Sequence, residues 1–267
     1  TPQERQRVPH HLIDILEPHQ HYSAGEFARR ARRVVAGIER RHRLPILVGG
    51  SGLYLRAFLD GISPIPPASP QIRRLLRRRF DLEGLAALRA ELAVLDPETA
   101  RRLDPGDAQR TLRALEVSMT TGRPMSSWIA ERPFGESPVA AVRIGLTLPR
   151  GILYDRIADR VRSMVRDGWV EEVEELLSRG LDFSLPAFQA IGYRQLAGYA
   201  VGEGSLEAVL PEIIRATRRF AKRQQTWYRK DSAITWFDAE NPAQALSGVL
   251  AFLDRVLKRG ANGHTDH

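Results

Sequence analysis

The chain has 267 residues, 43% of them hydrophobic, with no cysteine and 40 Lys+Arg against 32 Asp+Glu, a formal net charge of +8. That length supports one large domain or two small ones and a sizeable core. Without cysteine there is no disulfide framework, no thiol nucleophile and no thiolate zinc site. The uninterrupted apolar runs are too short for a membrane-spanning helix, and the opening TPQERQRVPHH has no apolar signal-peptide segment. The composition reads as a soluble, cytoplasmic protein. Its excess of arginine fits a polyanion such as nucleic acid or a phosphorylated metabolite, or equally a coding bias.

From the N-terminus, Val8–Leu16 is predicted as a buried strand. Ser23-Ala24-Gly25-Glu26 is a capping box with Tyr22 before it, opening a helix that carries Phe27, Ala31, Val34, Val35 and Ile38 at helical spacing. Leu44–Val48 is a second predicted strand, followed by Gly49-Gly50-Ser51-Gly52 and a helix over Leu53–Leu59. This βαβα order predicts a parallel sheet. Four prolines in the eight residues 63–70 mark a linker or hinge.

Residues 71–121 read as helical throughout. Ile72, Leu75, Leu76 and Phe80 form one face, and Arg73, Arg74, Arg77, Arg78 and Arg79 crowd the other. Asp96 and Asp107 are N-caps, and Gly122 ends the second helix. After a loop at 132–138, residues 139–148 return to strand character. Helices follow at about 150–166 and 170–179, then a basic helix at 211–229, a strand at 233–237, a helix at 242–258 and a frayed tail. The expected organisation is 1–62 as the first part of an α/β core, 63–138 as an inserted helical domain, and 139–267 as the return to the core.

Four groups could carry chemistry. Gly49-Gly50-Ser51-Gly52 suits phosphate, through backbone N–H groups at a helix start and the Ser51 hydroxyl; it could equally be a tight turn needing positive φ. Arg156 and Arg160 are four apart on one helix face, which fits an anion between them or a solvated face neutralised by Asp155 and Asp159. Gln109 and Arg113 share a face with Glu116, as base and backbone readers or as plain surface. Arg215, Arg218, Arg219, Lys222, Arg223, Arg229 and Lys230 place seven cations in sixteen residues, which fits a polyanion contact ahead of a solvated face, with Phe220, Trp227 and Tyr228 read as core rather than as stacking platforms. His10, His11, His19 and His21 cluster without acidic partners at ligand spacing, so no metal site is read there.

Taken together, HHLIDIL with YSAGEF, LPILVGGSGLYLRAFLDG, DAQRTLRALEV, LYDRIADRV with MVRDGWVEEV, AFQAIGYRQL and RRFAKRQQTWYRK resemble the tRNA dimethylallyltransferases. That family is built on a P-loop-kinase-like, nucleotide-binding α/β core. The resemblance implies transfer of a dimethylallyl group from dimethylallyl diphosphate to N6 of the adenosine 3′ of the anticodon, in tRNAs reading U-initial codons. Its implied partners are the tRNA anticodon stem-loop and the prenyl diphosphate, with no membrane and a monomeric chain.

By position, Ser51 falls where the family has threonine in the reaction channel, and Arg160 matches the arginine that grips diphosphate. Gly49, Gly50 and Arg156 are expected beside them. The implied tRNA contacts are Arg73; Gln109, Arg110, Thr111, Leu112 and Arg113; Gln189, Ala190, Ile191, Gly192, Tyr193 and Arg194; and Arg219, Lys222 and Arg223 of the basic helix. Gln189 stands where some relatives have arginine.

Such chemistry needs cations and amides for the departing diphosphate, and a flipped-out acceptor base. The family's P-loop and the Asp-Ser segment that supplies its general base are not found; no G-x-x-x-x-G-K-[ST] occurs in the 267 residues. The chain is therefore expected to begin after them, to leave neighbouring strands exposed, and to be inactive or crippled alone, with Mg²⁺ belonging to the full-length parent. Two rivals are a P-loop kinase relative acting on a small molecule, which should lack DAQRTLRALEV and TWYRK, and a non-catalytic tRNA-binding module.

Overall fold

The computed structural model describes residues 2–131, 139–181 and 185–262. The expected loop at 132–138 and the end of the expected tail lie outside them. In chain order the elements are α1 (Pro2–Arg7), α2 (Ala24–Glu39), α3 (Gly52–Leu59), α4 (Pro70–Leu95), α5 (Pro97–Arg102), α6 (Ala108–Thr121), α7 (Met125–Glu131), β1 (Arg143–Thr147), α8 (Arg150–Arg166), α9 (Trp169–Ser178), α10 (Tyr193–Ala200), α11 (Leu206–Tyr228), β2 (Ile234–Asp238) and α12 (Pro242–Asn262). This is a helix-rich α/β chain.

The chain divides into two compact units. One comprises 1–22, 48–52 and 141–267; the other comprises 23–47 and 53–140. The expected boundary at 62/63 is not one of these divisions. Residues 63–70 are no free hinge either: Ser63 and Ala68 are buried, Ser69 N donates to Thr120 Oγ1 (3.3 Å), and Arg113 Nη2 donates to the Pro66 carbonyl (3.2 Å).

In the second unit, α4 packs along α6. Leu76, Leu88, Leu92, Ala114 and Leu115 form the core, with Ile72, Phe80, Leu112 and Met119 against it. Leu75, expected on the same face, is instead 46% exposed, because the buried stripe runs 72, 76, 80 at four-residue steps. α4 kinks at Gly84 (φ 78°). Ser23 caps α2 as expected by accepting from Glu26 N, but Glu26 turns its carboxylate to Arg30 at 2.6 Å.

In the first unit the sheet among the described residues is one parallel pair, β1 with β2, registered Arg143↔Ile234 through Thr147↔Asp238. These are the two later strands of the sequence reading. The two earlier ones do not form. Residues 8–16 bend through Leu12 (φ 61°) and Asp14 (φ 53°), left-handed backbone that breaks an extended run. Residues 44–48 make no strand because no described strand runs beside them, and Leu44, Ile46 and Val48 are exposed.

The core of this unit is Val161, Trp169, Val173, Phe188, Leu196, Ala197 and Ile213. It gathers α8, α9, α10 and α11. α11 begins at its Ser205 cap rather than at Pro211, which lies inside the helix. α7 and α10 have no counterpart in the sequence reading.

Candidate functional site

The glycine turn and α11 meet inside the first unit. Gln224 Nε2 of α11 donates to the Gly50 carbonyl at 3.0 Å. A Cβ on Gly50 would collide with the Gln224 amide, and one on Gly52 with the Trp227 indole. None of Gly49, Gly50 and Gly52 has positive φ, so tight-turn geometry does not explain the glycines. Close approach by two side chains of the basic helix does. Ser51, between the two contacts, is exposed at the start of α3.

The two contacts differ in what could give way. Gln224 is flexible and can swing aside, whereas the Trp227 indole is rigid. Gly50→Ala is therefore expected to cost under about 1 kcal/mol and Gly52→Ala about 1–3 kcal/mol, read as thermal unfolding of each variant.

α8 packs on α11, and Arg218 Nη2 donates to the Tyr154 carbonyl at 3.1 Å. Ile157 and Val161 of α8 face the core, leaving Arg156 and Arg160 exposed as the spacing predicts. Asp159, read as a neutraliser of that pair, binds Arg162 at 3.1 Å instead. Arg156 and Arg160 have no carboxylate partner among the described residues.

Along α11, Arg219, Lys222 and Arg223 are exposed. Lys222, Gln225, Thr226 and Arg229 line a cavity of about 290 Å³ with Leu148, Arg150 and Tyr154. Its lining holds three cations and no carboxylate. Phe220 and Trp227, expected in the core, are 40% and 44% exposed: the Trp227 ring closes over Gly52, and the Phe220 ring lies under the Arg223 guanidinium.

The 189–194 stretch is held from behind. Gly192 (φ 97°) is buried against Trp169, and Tyr193 Oη donates to Glu172 Oε1 at 2.8 Å with its ring edge-on to Trp169. Gln189, Ala190 and Arg194 are the exposed members, while Ile191 packs on the core. The Trp169 and Glu172 supports were missed by sequence reasoning. Their only signal was the DGWVEEV stretch itself.

Burial, reinforced by the Glu172 contact, pushes the Tyr193 phenol up to about 12. A phenol raised on folding adds stability below its unfolded value near 10 and loses it as pH climbs towards 12. Wild type should thus weaken over that window in chemical unfolding, and Tyr193→Phe should flatten the slope.

In the second unit, Gln109 and Arg110 are exposed and Arg113 is partly so. Asp107 caps α6 by accepting from Arg110 N (3.0 Å) and also pairs with the Arg110 guanidinium. Thr111 is fully buried, its hydroxyl turned back to the Asp107 carbonyl, so it offers no surface to a ligand. Arg73 pairs with Glu116 at 3.1 Å.

No group of three or more His, Asp or Glu among the described residues could hold a metal ion. Among the described residues there is thus no all-protein cage for magnesium. The chain's one Asp-Ser dipeptide, Asp231–Ser232, is tied to β1: burial would raise the Asp231 carboxyl, but Arg143 at 2.8 Å and the Ala233 amide outweigh it and hold it low.

This is a parallel-stranded α/β unit with a glycine turn clasped by an arginine-rich helix, a combination whose amides and cations suit an anion. The family model described as IPP transferase matches residues 1–231. The chain belongs to that family, which makes it a transferase enzyme. It is 45% identical over 239 residues to the tRNA dimethylallyltransferase of Syntrophobacter fumaroxidans, covering 90% of this chain and 70% of that one. To the enzyme of the same name from Geobacter metallireducens it is 43% identical over 251 residues, covering 94% and 81%.

Among solved structures it is similar to the full-length tRNA isopentenylpyrophosphate transferase of Bacillus halodurans, at TM-score 0.66 and 34% identity, covering 99% of this chain and 84% of that one. A eukaryotic dimethylallyltransferase captured acting on tRNA shares the fold, at TM-score 0.78 and 22% identity, covering 97% and 68%. No described helix is long and apolar enough to cross a membrane.

Proposed function

We propose that this chain supplies the diphosphate grip and most of the tRNA surface of an enzyme that prenylates tRNA. The reaction is transfer of a dimethylallyl group from dimethylallyl diphosphate to N6 of the adenosine 3′-adjacent to the anticodon, in tRNAs reading U-initial codons. The C1–O bond to diphosphate breaks, the N6–C1 bond forms, and N6 loses a proton. The observation that supports this most is the clasp of Gly50 and Gly52 by Gln224 and Trp227, which joins the turn bearing Ser51 to the cationic helix.

In this reading the exposed Ser51 and the N–H groups of the turn meet the diphosphate. Arg156 and Arg160, free of carboxylates among the described residues, stabilise its growing charge. Arg219, Lys222 and Arg223, with Arg73, Gln109, Arg110 and Arg113 and with Gln189 and Arg194, follow the tRNA backbone and loop.

The 267 residues contain no G-x-x-x-x-G-K-[ST], and in this reading the polypeptide by itself binds both substrates and turns over poorly or not at all. That property also favours a second reading, a tRNA-binding module without chemistry. Calorimetric titration with dimethylallyl diphosphate separates the two. Binding that Arg160→Ala weakens by roughly tenfold or more supports the enzyme reading; no binding of the diphosphate, with tRNA binding intact, supports the module.

A further inference from the structure

Glu116 of α6 has a side chain only 10% exposed, yet its carboxylate faces two arginines. Its Oε1 accepts from Arg73 Nε of α4 at 3.1 Å, and its Oε2 accepts from Arg113 Nη1 at 3.3 Å. Arg113 Nη2 is fixed further by the Pro66 carbonyl at 3.2 Å. The two arginine side chains remain 48% and 36% exposed. One carboxylate thus lies beneath two cations that would otherwise repel, and both cations keep a face to solvent.

We propose that Glu116 is a positioning residue, which sets Arg73 and Arg113 side by side as a preformed grip for the phosphodiester backbone of tRNA. This rests on the reading above that Arg73 and Arg113 touch tRNA. Held in one rotamer by a shared acceptor, the two side chains lose less freedom on binding than two loose arginines would. The idea opposes bulk electrostatics. Removing the carboxylate makes the chain more positive, and a more positive surface binds polyanions more tightly.

The test measures affinity of the 267-residue protein for unmodified tRNA across salt concentrations, with heparin as the probe of bulk charge. Glu116→Gln is expected to weaken tRNA binding about tenfold while heparin binds as tightly as before or more so. Glu116→Asp keeps the charge but is too short to span both arginines, and should show the same loss for tRNA. In an Arg73→Ala/Arg113→Ala background, Glu116→Gln should change tRNA affinity less than about twofold, because residues that act through one another are not additive.

A tie that merely holds α4 to α6 would lower the thermal unfolding midpoint of Glu116→Gln together with its affinities for tRNA and heparin alike, and that joint loss would overturn the proposal. Unchanged or tighter tRNA binding by Glu116→Gln would overturn it too. The arginine double variant should itself lower the salt slope by about 1.5. If it does not, the tRNA-contact reading of Arg73 and Arg113 is what fails, and the role of Glu116 falls with it.

Discussion

Replacing Asp96 by alanine is expected to destabilise the chain by about 3–5 kcal/mol, the largest loss from any single polar side chain here. Asp96 is fully buried. Its carboxylate accepts from Thr99 N (3.1 Å), Thr99 Oγ1 (2.7 Å) and Ser126 N (2.9 Å), so it caps α5 and also anchors the start of α7. Its own N–H closes α4 on the Leu92 carbonyl at 2.7 Å. Three helix ends therefore converge on one residue.

Alanine would leave the donors unpaired in a site water does not reach, which is why the cost exceeds that of an exposed cap. Burial alone would raise the carboxyl, but the hydrogen bonds from Ser126 and Thr99 outweigh it and hold it below the ordinary carboxylate range. A pKa lowered on folding contributes stability above the unfolded value near 3.9 and loses it as pH falls through the folded value. Urea unfolding at neutral pH should show the full gap between wild type and Asp96→Ala. Acid below about pH 4 should narrow it, and Asp96→Asn should show little of that pH dependence.

The second large effect is expected at Gly192. Its φ of 97° and ψ of −45° are strained for any residue with a Cβ, and that Cβ would fall on the Trp169 ring. Trp169 is itself 6% exposed in the core with Phe188 and Leu196. Strain and ring displacement together should cost Gly192→Ala about 2–5 kcal/mol. Gly202 is the control: its φ is 89°, but nothing lies within 4 Å of its missing Cβ. Gly202→Ala should show the conformational cost alone, about 1–2 kcal/mol, in the same thermal unfolding series. A difference of near zero between the two variants would remove the Trp169 contact from the account. Because Gly192 seats the 189–194 stretch, tRNA affinity should fall for Gly192→Ala and hold for Gly202→Ala.

Local chemistry made some of this legible in the sequence. Ser23, Asp96 and Asp107 cap helices where their spacing places them, and β1 and β2 arise where β-branched residues gather. At 44–48 the failure was not local. Leu44–Val48 has the composition of a buried strand, but a strand exists only beside another, and no described strand lies beside this one. The glycines at 50 and 52 were legible as special and misread in cause, since their partners Gln224 and Trp227 lie more than 170 residues along the chain.

The same holds for the pairs that shape the candidate site. Asp96 with Ser126, Glu172 with Tyr193 and Arg73 with Glu116 each join residues that no helical or strand period connects. Motif spacing located the basic helix and the arginines of α8. Only the fold showed that Asp159 pairs with Arg162 rather than with Arg156 or Arg160.

The most direct test of the central claim is transfer of a labelled dimethylallyl group from its diphosphate to unmodified tRNA reading U-initial codons. The 267-residue chain is assayed beside the same chain carrying a segment with Gly-Lys-Thr and the family's aspartate base, each with and without Arg160→Ala. The account predicts product at N6 of the adenosine 3′ of the anticodon from the extended chain, lowered about 10²–10³-fold by Arg160→Ala, and little or none from the shorter one. Equal activity in both chains would place the base within these 267 residues and contradict the mechanism. No product from either, with tRNA still bound, would contradict the enzyme reading itself.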